Sequence, residues 1–113
     1  MRVLVLTEHD DAWGPAAAAL LADYEPRWTV LSASTDPTPS FNDTVAAAMA
    51  ECLIDLHDYH PRNAHDLDPD QFDLTLELYD LPTPHSLDEA RIIRDDVKNK
   101  TYIWFKTNRK YIK

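Results

Sequence analysis

Apolar residues occur along this chain in short blocks, and the spacing within each block predicts a strand or a helix. Residues 2–6 (RVLVL) form an almost continuous apolar run, which is typical of a strand buried on both faces of a parallel sheet. Residues 27–33 are rich in β-forming side chains, and residues 72–79 alternate apolar and polar side chains. We therefore predict three strands, with residues 2–6 at the centre of the sheet.

Helical spacing predicts three helices around these strands. Pro15 suits the first turn of one helix, and Asn42 or Asp43 can cap another. Ser86 and Glu89 have the spacing of a capping box at the start of the third. Alternating strands and helices predict a three-layer α/β domain, with a short parallel sheet, right-handed crossovers and helices on both faces. The predicted helices cover residues 16–24, 43–53 and 87–99.

The C-terminal segment, residues 101–113, carries a dense block of β-branched and aromatic side chains, TYIWF at 101–105. Such a composition favours a strand, and residues 107–109 could turn it back into a hairpin. We predict that residues 1–100 form the α/β domain and that 101–113 form a strand or hairpin packed on this domain or on a second subunit. The candidate interaction residues are Tyr102, Ile103, Trp104, Phe105 and Tyr111.

Length and charge limit the classes of function. A chain of 113 residues with 44% hydrophobic content is enough for one compact domain. Residues 1–80 carry three arginines against sixteen acidic residues, whereas residues 81–113 carry eight basic residues against four acidic ones. An acidic body repels nucleic-acid phosphate and anionic membranes, so we expect neither as a partner, although the basic C-terminal segment alone could attract either.

Cys52 is the only cysteine of the chain, so it can form neither an internal disulfide nor a zinc cluster of several cysteines. Its place on the apolar face of the second predicted helix, without flanking cations, predicts a buried packing residue. The chain shows no targeting signal, and no apolar run approaches the roughly 18 residues of a membrane span. We expect a soluble protein in the cytoplasm.

Several short motifs share the order and spacing of one known family. Residues 72–74 (FDL) and 91–97 (RIIRDDV) are similar to its F-D-L-V and R-x-V-R-D-E-I motifs. Together the motifs resemble the low-molecular-weight tyrosine phosphatases and the thioredoxin-coupled arsenate reductases. The pattern S-A-G-x-x-P … N-P-x-A-V-x-A-M-x-E-x-G-I-D-x-S-x-H-x-P is matched without a gap by Ser32-Ala33, Asp36-Pro37, Asn42, Ala48-Met49, Glu51, Ile54-Asp55 and Pro61.

The resemblance implies the phosphotyrosine phosphatase I-like fold, in which the strand at 2–6 lies between those at 28–32 and 72–79. The family usually carries a fourth strand between Tyr79-Asp80 and Leu81-Pro82, and almost no residues separate these two points here. We predict that the fourth strand is missing. The open edge of the strand at 72–79 would then be covered by residues 101–105 of the same chain or of a second one, and we favour a dimer.

The resemblance also implies where catalytic residues would stand. The family's chemistry uses a C-x5-R loop after the first strand, and by position Thr7 replaces the cysteine and Trp13 replaces the arginine. The family's general acid is an aspartate before the last helix, where this chain has Thr83 between two prolines. We therefore predict no catalytic residues and no cofactor, as in a pseudophosphatase. The former phosphate-loop positions are Thr7, Glu8, His9, Asp10, Asp11, Ala12 and Trp13.

Two functions remain open at this point. The favoured one is a non-catalytic protein that acts by binding another protein or by self-association. The alternative is an enzyme of altered chemistry, with or without a bound metal, that uses His9, Asp10 and Asp11 in the former phosphate-loop pocket. His57 and His60 also have ligand-compatible spacing, but polar residues are expected in that loop, so we predict no metal site.

Overall fold

The structure is a computed structural model that describes residues 1–9, 13–36, 43–54, 56, 63–79, 81 and 83–108. Within these residues, no helix is both long and apolar enough to cross a membrane. Two single-turn 3-10 helices, Ala64–Asp66 and Pro69–Gln71, lie between the second helix and the third strand. The main elements are β1 (Arg2–His9), α1 (Trp13–Tyr24), β2 (Thr29–Asp36), α2 (Asp43–Ala50), β3 (Leu74–Leu78) and α3 (Leu87–Asn108).

The predicted sheet is confirmed. Its order is β2-β1-β3, and β1 pairs in parallel with both neighbours. Val5 lies opposite Ser32 on one side and opposite Leu76 on the other. β1 is the central strand and is buried along much of its length, as its continuous apolar sequence predicted. The described residues form three strands, in agreement with the predicted α/β class.

One hydrophobic core joins the sheet to all three helices. Val3 and Val5 point to the same face of β1 and are completely buried. Val45 of α2 and Val97 of α3 belong to the same core as these valines. Each fully buried aliphatic side chain stabilises the folded state by roughly 1.5–3 kcal/mol, so this core is the main source of stability.

The alternating pattern predicted for the third strand is also observed. Leu76 and Leu78 of β3 are buried, whereas Thr75 and Glu77 on the opposite face are exposed. A period of two residues places alternate side chains on opposite faces of a strand. The face of β3 that carries Thr75 and Glu77 is therefore open to solvent.

The prediction of a C-terminal strand or hairpin is wrong for the described part of that segment. α3 is one continuous helix of 22 residues that extends to Asn108, so it runs past residue 100 without a break. Its helical spacing continues through Val97, Thr101 and Trp104, which lie on the side that packs against the domain. Burial on this face outweighs the β-preference of the individual residues. Residues 109–113, including Tyr111, lie outside the described residues.

The second helix is shorter than predicted, and this changes the environment of Cys52. α2 ends at Ala50, and the amides of Cys52 and Ile54 both donate to the carbonyl of Met49 in the turn that follows. Leu53 completes this turn with a positive φ of 64°. Cys52 is half-buried after the end of the helix, so the prediction of a buried residue on its apolar face is wrong.

Candidate functional site

The carboxyl ends of β1 and β2 bring two hydroxyl groups together. Thr7 lies opposite Ser34 in the parallel register, and their hydroxyl oxygens are 3.0 Å apart in a hydrogen bond. Thr7 is 3% exposed and Ser34 is 2% exposed. In open α/β sheets, this end of the strands is where ligands usually bind. The position that the resemblance assigns to a nucleophile thus holds a buried, hydrogen-bonded hydroxyl.

The first turn of α1 packs tightly against this hydroxyl pair. A Cβ atom on Gly14 would lie 3.3 Å from Cγ2 and 3.4 Å from Oγ1 of Thr7. Gly14, the only glycine in the chain, therefore allows the helix to approach β1 closely. Trp13 is almost fully buried, and its indole Nε1 has no hydrogen-bond partner within the described residues. Indole can donate one hydrogen bond but carries no positive charge.

Carboxylates lie on the other face of the same sheet end. The register that pairs Thr7 with Leu78 brings Glu8 of β1 next to Tyr79, which follows β3. The pKa of the Tyr79 phenol is raised from its ordinary value, first by desolvation and then by the negative charges of Glu77 and Glu8. The register puts Glu8 and Glu77 on the same face of the sheet as the half-exposed Tyr79, and their negative charge disfavours an anionic ligand there.

The remaining former phosphate-loop positions are only partly described. His9 ends β1, where its backbone pairs with Asp36. Asp10, Asp11 and Ala12 lie outside the described residues, so the alternative of a metal-dependent enzyme stays a prediction. Within the part of the chain that is described, no three His, Cys, Asp or Glu residues are grouped to hold a metal ion.

Cys52 lies at the opposite end of α1 from Thr7. Its Sγ accepts a hydrogen bond from Nζ of Lys98, at 3.7 Å, in a groove of about 710 Å³. From Gly14 to Tyr24, α1 rises by about 15 Å, so the thiol is far from the hydroxyl pair. The cation beside Cys52 could not be foreseen, because Lys98 is 46 residues away in the chain. The groove is lined mainly by Leu20, Tyr24, Cys52, Leu53, Ile54 and Lys98.

The predicted interaction residues on α3 divide into two groups. Trp104 and Phe105 are partly buried and pack edge to face on Trp28, with ring centroids 6.3 Å and 5.5 Å away. Tyr102 and Ile103 are about half exposed, at 46% and 54%. Only these last two side chains offer substantial surface to another molecule.

Comparison of the whole chain with solved structures identifies its fold. A low-molecular-weight protein tyrosine phosphatase from T. tengcongensis superposes with a TM-score of 0.80 and 14% identity, over 95% of this chain and 99% of that one. The tyrosine phosphatase AmsI of Erwinia amylovora gives a TM-score of 0.78 at 16% identity, over 94% and 91% of the two chains. The chain has the low-molecular-weight phosphatase fold.

Arsenate reductases share this phosphatase fold. The enzyme from Archaeoglobus fulgidus DSM 4304 superposes with a TM-score of 0.74 and 16% identity, over 90% of this chain and 97% of that chain. No family model and no curated protein matches the sequence. At these identities the likeness establishes the phosphatase fold, as the sequence motifs predicted, and leaves activity to be argued from the residues themselves.

Three residues of the site were not predicted from the sequence. Ser34 becomes relevant only through the register of β1 and β2, which pairs it with Thr7. Tyr79 directly follows β3, and its position next to Glu8 likewise depends on the register of β1 and β3. Gly14 is visible in the sequence as its only glycine, but only the structure shows that a Cβ there would lie 3.3 Å from Cγ2 of Thr7.

Proposed function

We propose that this chain is a non-catalytic protein with the low-molecular-weight phosphatase fold, which acts by binding other proteins or by self-association. The observation that carries the proposal is the location of its only cysteine. Cys52 lies in the groove beside Lys98, whereas the position expected for the nucleophile holds Thr7. A thiolate is the nucleophile in this kind of chemistry, and none is available at the carboxyl end of β1.

The groups present at the former loop are poorly suited to phosphoryl or arsenate chemistry. The Thr7 hydroxyl is a weak nucleophile unless a base activates it, and its described hydrogen-bond partner is another hydroxyl, that of Ser34. The buried indole of Trp13 stands where a guanidinium would hold the oxyanion, and it cannot supply that charge. Thr83 stands in the place of the general acid, and a threonine hydroxyl does not protonate a leaving group efficiently.

Local charge supports the same conclusion. Glu8 and Glu77 both act on Tyr79 at the carboxyl end of the sheet, so an approaching phosphate or arsenate anion would meet negative charge. Active sites for such anions normally present helix amides and cations instead. Binding of a neutral or cationic partner is the function more compatible with this surface.

Exposed apolar side chains support a binding role. Leu53 is 96% exposed, and Ile92 and Ile103 on α3 are 72% and 54% exposed. Ile92 and Ile103 are eleven residues apart, which is close to three helical turns and puts them on the same outer side of α3. Single exposed apolar residues are common, and these side chains, together with the half-exposed Tyr102, are available for contact with another protein. The proposal places this protein in the cytoplasm, where a single reduced cysteine is usual.

The proposal is tested by turnover assays on the full chain. The purified protein is expected not to hydrolyse p-nitrophenyl phosphate and not to reduce arsenate in the presence of thioredoxin. Hydrolysis that disappears in Thr7→Ala would contradict the proposal, because it would make the Thr7 hydroxyl a working nucleophile. Adding divalent metals to the same assays, with thermal melting as a second readout, tests the metal-dependent alternative at His9, Asp10 and Asp11.

A further inference from the structure

The second edge of β3 has no partner strand in the described part of the chain. The sheet order ends at β3, which pairs with β1 alone. Residues 101–105, which the sequence predicted as its cover, lie instead in α3, with Phe105 against Tyr24 and Trp28. A strand edge presents unpaired amides and carbonyls that readily accept another strand.

The side chains of β3 define what kind of strand could be added. Leu74, Leu76 and Leu78 point towards the core, while Thr75 and Glu77 are exposed on the other face. In a paired strand, residues opposite one another project to the same face. An added strand would therefore place apolar side chains next to the leucines and polar ones next to Thr75 and Glu77.

The charge along this edge is negative towards its carboxyl end. Glu77 belongs to β3 itself and is exposed, whereas Glu8 lies on β1, on the paired side of β3. Desolvation, and then the negative charges of Glu77 and Glu8, raise the pKa of the Tyr79 phenol. Arg2 lies at the opposite, amino end of β3, where its guanidinium is 5.1 Å from the ring centroid of Phe72. The half-exposed ring of Tyr79, two residues after Glu77, is a favourable site for a Lys or Arg side chain.

The β3 edge of a second copy of this chain fits this edge poorly. Each copy would bring its own Glu77 to the shared edge, and the whole chain carries a formal net charge of −9. Like charges across a strand pair are destabilising. A basic segment neutralises Glu77, so charge complementarity favours a basic segment over the β3 edge of a second copy.

We propose that the free edge of β3 binds an extended, basic segment of another protein as an added strand, in which Lys or Arg alternates with apolar residues. The basic side chains lie beside Glu77 and Tyr79, and the apolar ones continue the row of Leu74, Leu76 and Leu78. Main-chain hydrogen bonds supply affinity and the alternating side chains supply selectivity, as in other cases of strand addition. This inference rests on the proposed binding function and names the chemistry of the partner.

The first test uses a labelled peptide, acetyl-Val-Lys-Val-Arg-Val-Thr-amide, titrated with the full chain and followed by fluorescence anisotropy. Saturable binding is expected at low salt, and Glu77→Lys should weaken it by about tenfold because it places a repelling charge beside the basic residues. Asp66→Lys makes the same change of charge in the 3-10 helix near β2, the opposite edge strand, and should change the affinity by less than about twofold.

The second test separates strand addition from simple charge attraction. Two versions of the peptide are N-methylated at alternate residues, one on the valines and one on the residues between them, so that each version has one edge without amide donors. At least one version should lose binding, and the parent peptide should slow hydrogen exchange of amides in Leu74–Leu78.

Several results would overturn the proposal: no saturable binding, equal weakening by Glu77→Lys and Asp66→Lys, or full binding by both methylated peptides. A dimer in sedimentation that protects the same β3 amides would also overturn it, in favour of a second copy at this edge. These results are distinct from those that test the proposed function. Turnover of an aryl phosphate would contradict the non-catalytic role and leave peptide binding standing, whereas failed peptide binding would leave the absence of turnover unaffected.

Discussion

Arg91 of α3 and Glu51, the residue directly after α2, form a two-point salt bridge. Nη2 of Arg91 donates to Oε2 of Glu51 at 2.6 Å, and its Nε donates to Oε1 at 3.0 Å. Arg94 adds a second cation, since its Nη1 is 2.7 Å from Oε1 of Glu51 and 3.0 Å from the carbonyl of Ala48. The cluster ties α2 to α3 and joins two sequence motifs that are about forty residues apart.

Acid should weaken the protein through this cluster. Hydrogen bonds from Arg91 and then Arg94 lower the pKa of Glu51 from its ordinary value of 4.5 to about 2. Because the pKa is lower in the folded state, the stabilising contribution is complete above about pH 4.5 and is lost as the pH falls towards 2. We expect the Glu51→Gln variant to have a lower free energy of unfolding than the wild type at pH 7. Near pH 2, where Glu51 is becoming protonated in the wild type, the two proteins should have similar free energies of unfolding.

Urea denaturation at pH 7, 4.5, 3 and 2 measures this difference. Asp66→Asn is a matched control, because it removes one exposed carboxylate from the 3-10 helix beside β2. A wild-type protein and a Glu51→Gln variant with the same dependence on pH would contradict the assignment of the acid-sensitive contribution to Glu51.

Leu53 should be a site at which glycine increases stability. Its φ of 64° lies in the left-handed region, which is costly for a residue with a bulky side chain, and the side chain itself is 96% exposed. Leu53→Gly should raise the free energy of unfolding by about 1 kcal/mol. Leu53→Ala removes the exposed side chain but keeps a Cβ, so it should change stability much less. Equal gains from both variants would show that the side chain, rather than the backbone, was the source of strain.

The motifs that predicted the fold are mostly structural. Glu51, Arg91 and Arg94 belong to the matched patterns, and in the structure they hold α2 against α3. The apolar run of β1 likewise predicted its central place, because a near-continuous apolar run is typical of a strand buried inside a parallel sheet. Fold could therefore be predicted at an identity of about 15% to known structures, since these residues form the framework.

Two other features could not be predicted, and for different physical reasons. The block TYIWF has the composition of a strand, but its residues 101, 104 and 105 also continue the buried helical face that includes Ala90 and Val97. Packing of this face on the domain decides in favour of the helix. The Thr7 and Ser34 pair depends on strand register, which sequence spacing alone does not fix. The carboxylate pair at Tyr79 has the same dependence on register.

The close contact between α1 and β1 can be tested with a double-mutant cycle. Gly14→Ala places a Cβ atom 3.3 Å from Cγ2 of Thr7, a distance that requires the buried neighbours to move. We expect a loss of about 1 kcal/mol in the free energy of unfolding, because overpacking outweighs the better helix propensity of alanine. Thr7→Ser removes Cγ2, so Gly14→Ala should cost clearly less in that background. Additive effects of the two substitutions would show that the methyl group is not the obstacle.

The end of α3 should contribute to stability through its inner side alone. The ring of Phe105 lies 5.4 Å from that of Tyr24 and 5.5 Å from that of Trp28, so Phe105→Ala should lower the free energy of unfolding by about 2 kcal/mol. Ile103, two residues earlier, is 54% exposed, and Ile103→Ala should change it by no more than about 0.5 kcal/mol. Truncation after Lys98 removes the whole contact and should lower the melting temperature further than Phe105→Ala does. If melting and light scattering were unchanged by the truncation, residues 99–113 would be a free arm and the packing on Tyr24 and Trp28 would make no contribution.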